Sequence, residues 1–364
     1  MTLRSHFFIA TALAGCLLQG ASWKVQYFYD RTDSRFGIND FQFVNTTTGF
    51  ATGFKEARKD KLGTPYMIST TDGGKTWKEL FPPAIGENMF FLNEKTGWLS
   101  TNQGVCRTDD AGVSWKILDP LTGVTRLWFL NDRHGFAVGI PKLMKETKDG
   151  GATWTDVTAA KDIVGKTENT AYTEIVFQGD RGVVAGVSIP NRPKTEQPAW
   201  VDPSAAARRR QWPTLTLSLA TSDAGETWKA QTTPLFGTVI RMRAVGNIGM
   251  SVIRYSEAFD VPSEVYAINA AGRSQSVYKK EGRIVTDAGW IGADSIIVAV
   301  EAPGKLNQLP FPGKIHVLKS LDLSTWTEMD VSYKAFGGNA MLAAKDETHA
   351  WIATDAGMIL SYIP

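Results

Sequence analysis

The chain is poor in cysteine and histidine and carries almost no net charge. Its 364 residues include 2 Cys and 4 His, and 39 basic side chains stand against 37 acidic ones. His6, His134, His316 and His349 are scattered, and no Cys/His spacing suits a metal site, so neither a metal nor a cofactor is expected. A balance of +2 gives no global pull toward nucleic acid or a membrane surface, so any electrostatic preference must be local. The chain also lacks a Gly-rich phosphate loop, a nucleophile elbow and a His–Glu zinc helix, and no catalytic set assembles from motifs. No run of apolar residues is long enough to span a bilayer. Cys106, in "GVCRTDD", reads as a small buried hydrophobe, and with Cys16 in the leader no intramolecular disulfide is expected.

What is present begins with a targeting segment over residues 1–21. Arg4 supplies a short positive region, and an apolar run follows at 7–13. Leu13-Ala14-Gly15-Cys16 resembles a bacterial lipobox, in which the Cys becomes the lipidated first residue. Ordinary cleavage after Ala12-Leu13-Ala14 is the rival reading. Both predict an exported protein, periplasmic or at the cell surface, anchored at Cys16 in the first case.

The remainder is rich in turn and aromatic residues, with 34 Gly, 12 Trp and 18 Phe. It also repeats. Four segments align without gaps: "TTDGGKTW" at 70–77, "TDDAGVSW" at 108–115, "TKDGGATW" at 147–154 and "TSDAGETW" at 221–228. A fifth, "SLDLSTW" at 320–326, is one residue shorter. Each is read as a hairpin turn. Asp72, Asp110, Asp149, Asp223 and Asp322 accept bonds from turn N–H groups, and Gly74, Gly112, Gly151 and Gly225 supply a positive φ. Trp77, Trp115, Trp154, Trp228 and Trp326 open the next strand and bury apolar area between adjacent sheets. Five Asp in five separate turns read as structure, not as catalysts.

A second element precedes each box: an apolar strand, a polar turn, then Gly and another apolar strand. It is clear at 41–53, 89–101, 127–139 and 175–186, recurs without a clear box at 242–252, and appears again at 288–300 and 341–353. These copies predict an all-β fold, a seven-bladed β-propeller of four-stranded antiparallel blades, occupying 22–364 as a single domain. The last blade stops short of its fourth strand, and Ser22-Trp23-Lys24 looks like the missing one. The N-terminal strand is therefore expected to pair near 358–363 and close the ring, which removes two exposed edges. The fifth blade, around 239–280, has at best a decayed box.

The long insertions, 54–65, 188–213, 255–263 and 301–314, all fall between second and third strands and crowd one rim. The first has a charge balance of +2 and the second +3, so the rim is basic. In the second, Trp200 and Trp212 bracket Arg208, Arg209 and Arg210, a makeup suited to binding a protein. The central channel is expected to display Asp40, Glu87, Arg126, Tyr172, Glu174, Arg241 and Arg243. These would either hold an anionic group or neutralise one another.

The boxes resemble the Asp-box, or BNR, repeat, and two kinds of propeller share it. In sialidases an Arg trio binds the substrate carboxylate, a Glu-activated Tyr is the nucleophile and an Asp is the acid/base. That resemblance implies an exo-glycoside hydrolase at the channel mouth, with Arg126, Arg241, Tyr172 and Glu174 the nearest counterparts. The Arg-Ile-Pro element of those enzymes is absent; Arg35-Phe36-Gly37 does not match it. The rhythm is more similar to photosystem II assembly and stability factors, non-catalytic propellers that are exported and bind membrane proteins through an Arg-bearing surface. It implies a protein-binding module with another envelope or membrane protein as partner, an anionic or glycan ligand as a second possibility, and no nucleic acid.

Overall fold

The computed structural model describes residues 20–57, 60–189, 214–255, 261–301 and 313–364. Pairing groups the strands into seven sheets built on four-stranded antiparallel runs. The first strands of blades 1 to 7 are Ser34–Phe43, Gly86–Phe91, Val124–Phe129, Thr170–Gln178, Thr238–Val245, Arg283–Ile291 and Ala340–Ala344. Each lies against the first strand of the next blade, and the seventh lies against the first. This is the expected all-β seven-bladed propeller.

The ring closes as the repeat arithmetic requires. Ser22–Phe28 runs antiparallel to Met358–Ile363, from Ser22 opposite Ile363 to Phe28 opposite Met358. Trp23 on that strand is fully buried among residues of blades 6 and 7. Blade five is complete despite its missing box. In its turn Asn269 Oδ1 takes the N–H groups of Ala271 and Arg273, and Gly272 has a φ of +74°.

The Asp-boxes do what their residue types dictate. Asp72 Oδ1 accepts from the Thr70 hydroxyl at 2.8 Å and the Thr76 N–H at 2.9 Å, while Oδ2 accepts from the Thr76 hydroxyl at 2.6 Å. Asp110, Asp149 and Asp223 repeat that set. The shortened copy keeps three bonds, from Ser320, Ser324 and Thr325 to Asp322 Oδ1. Gly74, Gly112, Gly151 and Gly225 have φ of +87°, +83°, +95° and +94°, where a Cβ would be strained. Hydrogen bonding, led by the Thr76 and Thr227 hydroxyls, holds Asp72 and Asp223 down to about 2. The Gly73 N–H donates to Thr47 O, so box turns share a face with the turns joining first to second strands. Among the described residues, second-to-third-strand connections such as the one where Thr101 pairs with Gly104 lie at the opposite ends of the strands. One of them differs from expectation: segment 54–65 continues the hairpin of Gly49–Ala57 and Asp60–Thr70, with pairing out to Ala57 opposite Asp60.

The box tryptophans pack less deeply than their size suggests. Trp115 is half-buried and meets Phe91 edge-on at 6.2 Å. The dry stacks lie beside them. Phe43 stacks on Trp351 at 3.5 Å, Phe91 on Phe50 at 3.7 Å, Phe129 on Trp98 at 3.6 Å and Phe177 on Phe136 at 5.2 Å. Each pair joins the end of one first strand to the second strand of the preceding blade, and a box Trp closes it from the edge. This explains the Gly of the second element. A Cβ on Gly49, Gly97, Gly135 or Gly182 would meet the Phe ring of its own blade at 2.7, 2.5, 2.4 and 2.4 Å. Cys106 lies fully buried in one of these clusters, as its sequence context predicts.

Candidate functional site

Six of the seven first strands carry a register shift at the same point, between Ile38 and Asp40, Gly86 and Asn88, Val124 and Arg126, Tyr172 and Glu174, Val239 and Arg241, and Val285 and Asp287. Such a bulge re-aims the residues around it. The extra residue stitches to the next blade in three cases, through Asn39 to Gly86 O at 2.9 Å, Thr125 to Tyr172 O at 2.9 Å and Thr173 to Val239 O at 2.7 Å. The residue after the bulge forms a belt: Asp40, Asn88, Arg126, Glu174, Arg241 and Asp287. Met341, opposite Ala353, takes the seventh place.

The belt is internally paired. Asp40 Oδ2 accepts from Asn88 Nδ2 at 2.5 Å and the Met89 N–H at 2.9 Å, and Asn88 Oδ1 accepts from the Leu127 N–H at 2.8 Å. Arg126 Nε donates to Glu174 Oε1 at 2.9 Å, and Arg241 lies 3.7 Å from the same oxygen. Asp287 receives Arg243 through two nitrogens at 3.1 and 2.6 Å and the Leu342 N–H at 2.9 Å, with Arg241 at 3.8 Å. Burial opposes ionisation of Asp287, but Arg243 and Arg241 outweigh it and hold the carboxyl below the ordinary range. Burial likewise pulls Arg241 down, and Asp287 and Glu174 more than restore it. Lys345 adds one more cation; burial, then Arg243, lowers its ammonium.

Arg126, Glu174, Arg241 and Arg243 are therefore brought together as the sequence suggested, and their charges are largely spent on one another. Tyr172 is a correction. It is fully buried between blades 3 and 4, its hydroxyl donates to Ala160 O at 2.6 Å, and burial raises its pKa. A phenol on the core side of the strand is not paired with Glu174. Glu87, the extra residue of its bulge, is exposed. Asn88 and Asp287 were not among the expected channel residues, though they stand three and four positions before the residue that pairs with the start of the second strand. Cys16, Trp200, Arg208, Arg209, Arg210 and Trp212 lie outside the described residues.

With this geometry in place, comparison with known proteins shows what the chain is similar to. Residues 118–190 match the family model described as "Photosynthesis system II assembly factor YCF48". The chain is an Asp-box propeller similar to the photosystem II assembly factors. Among solved structures, YCF48 bound to D1 peptide superposes with a TM-score of 0.61 at 13% identity, over 94% of this chain and 97% of that one. YCF48 from Cyanidioschyzon merolae gives 0.60 at 16% identity, over 94% and 98%. An ancestral GH74 enzyme gives 0.55 at 9% identity, over 93% of this chain and 46% of that one. At such identities the superpositions carry the fold alone. No curated protein matches the sequence.

Proposed function

We propose that this protein is a non-catalytic binding propeller of the assembly-factor kind, acting outside the cytoplasm on a membrane-protein partner. The observation that carries the reading is the family match over 118–190 within a propeller whose whole length follows YCF48, a protein seen bound to a D1 peptide. The pairing of the channel supports it: the three channel arginines are engaged by Glu174 and Asp287, and Tyr172 is turned away from them. Recognition is assigned to the rim of second-to-third-strand connections, with Trp200, Arg208, Arg209, Arg210 and Trp212 as its basic, aromatic core. Export by the 1–21 leader, with lipidation at Cys16, belongs to the same proposal.

The test is capture of one identified membrane-protein partner from native envelopes by wild type and by a variant with Ala at positions 208, 209 and 210. The expected result is at least about a fivefold loss of capture with an unchanged melting temperature. Equal capture by both would refute the rim assignment. Sialoside hydrolysis, measured in parallel and lost on Glu174→Gln, would refute the non-catalytic reading.

A further inference from the structure

Among the described residues, ten buried side-chain nitrogen and oxygen atoms lack a hydrogen-bond partner. Five of them belong to Arg241, Arg254, Tyr278 and Arg283, whose strands lie in blades 5 and 6. Buried polar groups are normally satisfied, so such a concentration calls for a physical reason. All five can donate, and four sit on guanidinium groups that stay charged at any working pH.

Pairing places these groups on the facing sides of blades 5 and 6. Arg254, at the end of Ile248–Arg254, sits opposite Ser263, and Val265 sits opposite Tyr278. Alternate residues of a strand share a face, so Arg254, Ser263 and Tyr278 all look toward blade 6. The Ser263 hydroxyl donates to Arg283 O and accepts from the Val285 N–H, which fixes the two blades against each other there. From blade 6, Arg283, Glu301, His316 and Glu328 form the facing wall.

The charges on that wall are committed, and Arg254 of blade 5 is not. His316 lies between Glu328, on its Nδ1, and Glu301, 3.3 Å from its Nε2. Arg283 reaches Glu328 at 3.6 Å without a hydrogen bond from its Nη1. Arg254 has no carboxylate within ion-pair distance among the described residues, and Nε and one Nη are buried without an acceptor. Burial, and then the neighbouring Arg241, lowers its pKa. A buried cation beside another cation, with no counter-ion of its own, is costly to the empty protein.

We infer that the interface between blades 5 and 6 holds a site for a small oxoanion, a carboxylate, phosphate or sulfate group, bound by Arg254 with Arg283 and the Tyr278 hydroxyl. This lies beyond the partner-binding role and does not depend on it. An oxoanion supplies what the site lacks, several acceptor lone pairs and one or two negative charges.

The test is thermal melting of the full chain against sodium phosphate, sulfate or acetate, with chloride at matched ionic strength as control. At least one oxoanion is expected to raise the melting temperature saturably, as a ligand that binds only the native state must. A response to acetate alone assigns a carboxylate; a response to phosphate or sulfate assigns a tetrahedral anion. Arg254→Met is expected to weaken the anion at least about tenfold while melting in chloride no lower than wild type. Tyr278→Phe is expected to weaken it several-fold. Absence of a saturable response in wild type, or variants that respond as wild type does, overturns the site. So does Arg254→Met melting clearly lower in chloride, since that makes the guanidinium a structural group. Should Arg254→Met not fold, Tyr278→Phe decides, and unchanged anion affinity refutes the inference.

Discussion

The interfaces between blades 7 and 1, 1 and 2, 2 and 3, and 3 and 4 differ in kind from the other three. In the first group every interface is built on a stacked aromatic pair, with a box Trp against its edge. Between blades 4 and 5 the buried cluster among the described residues is Ala185, Val239 and Ile253, with Met242, Tyr255 and Tyr266 partly buried against it. Between 5 and 6 it is aliphatic apart from partly buried aromatics, and the unpartnered donors of Arg254 and Arg283 lie at the same interface. Between 6 and 7 it is aliphatic around Trp23. One architecture is thus held by two chemistries. The aromatic arc repeats a strict motif, because a ring, a Gly and a Trp must all fit one another. The aliphatic arc is free of that constraint and has room for unpaired polar groups. The family match at 118–190 begins in the last strand of blade 2, spans blade 3 and takes in the first two strands of blade 4, within the aromatic arc.

The contrast can be broken by substitution, starting with the buried charge that ties the weaker arc together. Asp287→Ala leaves Arg243 Nε and the Leu342 N–H without their acceptor and Arg241 and Arg243 without a counter-charge, and is expected to cost about 5 kcal/mol in denaturant unfolding. A loss below about 1 kcal/mol would mean that the belt does not hold blades 5 to 7 together. Phe129→Ala removes a fully buried ring stacked on Trp98 and is expected to cost about 4 kcal/mol. Trp115→Ala removes a larger but half-buried side chain, and about 2 kcal/mol is expected. If Trp115→Ala proved the costlier of the two, the box tryptophan and not the Phe stack would be the staple of the arc.

The smallest effect is that of acid. Asp72 and Asp223 have folded-state pKa values of about 2, below the ordinary value near 4. A depressed carboxyl contributes stability that is fully present above its unfolded value and is lost as pH falls through the folded one. The melting temperature is therefore expected to be insensitive to these groups from about pH 7 to 5 and to fall between roughly 4 and 2. Asp223→Asn should make that fall shallower; an unchanged acid limb would show that the box carboxylates do not contribute to it.

Most of the architecture was legible because its signals are local. A box announces a third-to-fourth-strand turn through residues within eight positions, and the lone Ser22-Trp23-Lys24 at the start reveals how the ring shuts. Depth of burial was not legible: Trp115 and Trp98 look alike in sequence, yet one lies on a turn flank and the other inside a stack. The channel was half legible. A bulge of one residue reverses which side chains face the axis, so Glu174 entered the belt while Tyr172, two positions earlier, went to the core. Asp287 has no repeated neighbour to mark it, and Arg254, Tyr278 and Arg283 gain meaning only when two blades are set side by side. Blade 5, where the motif decays, is where sequence offered least.

The central claim is that the aromatic arc holds the ring and the aliphatic arc is its more yielding side. Native-state hydrogen exchange on the full chain, resolved by strand, tests it most directly. The second strands Gly97–Thr101 and Gly135–Gly139 are expected to exchange markedly more slowly than Ile248–Arg254 and Ser263–Ile268. Equal protection in both arcs, or slower exchange in blade 5, would contradict it.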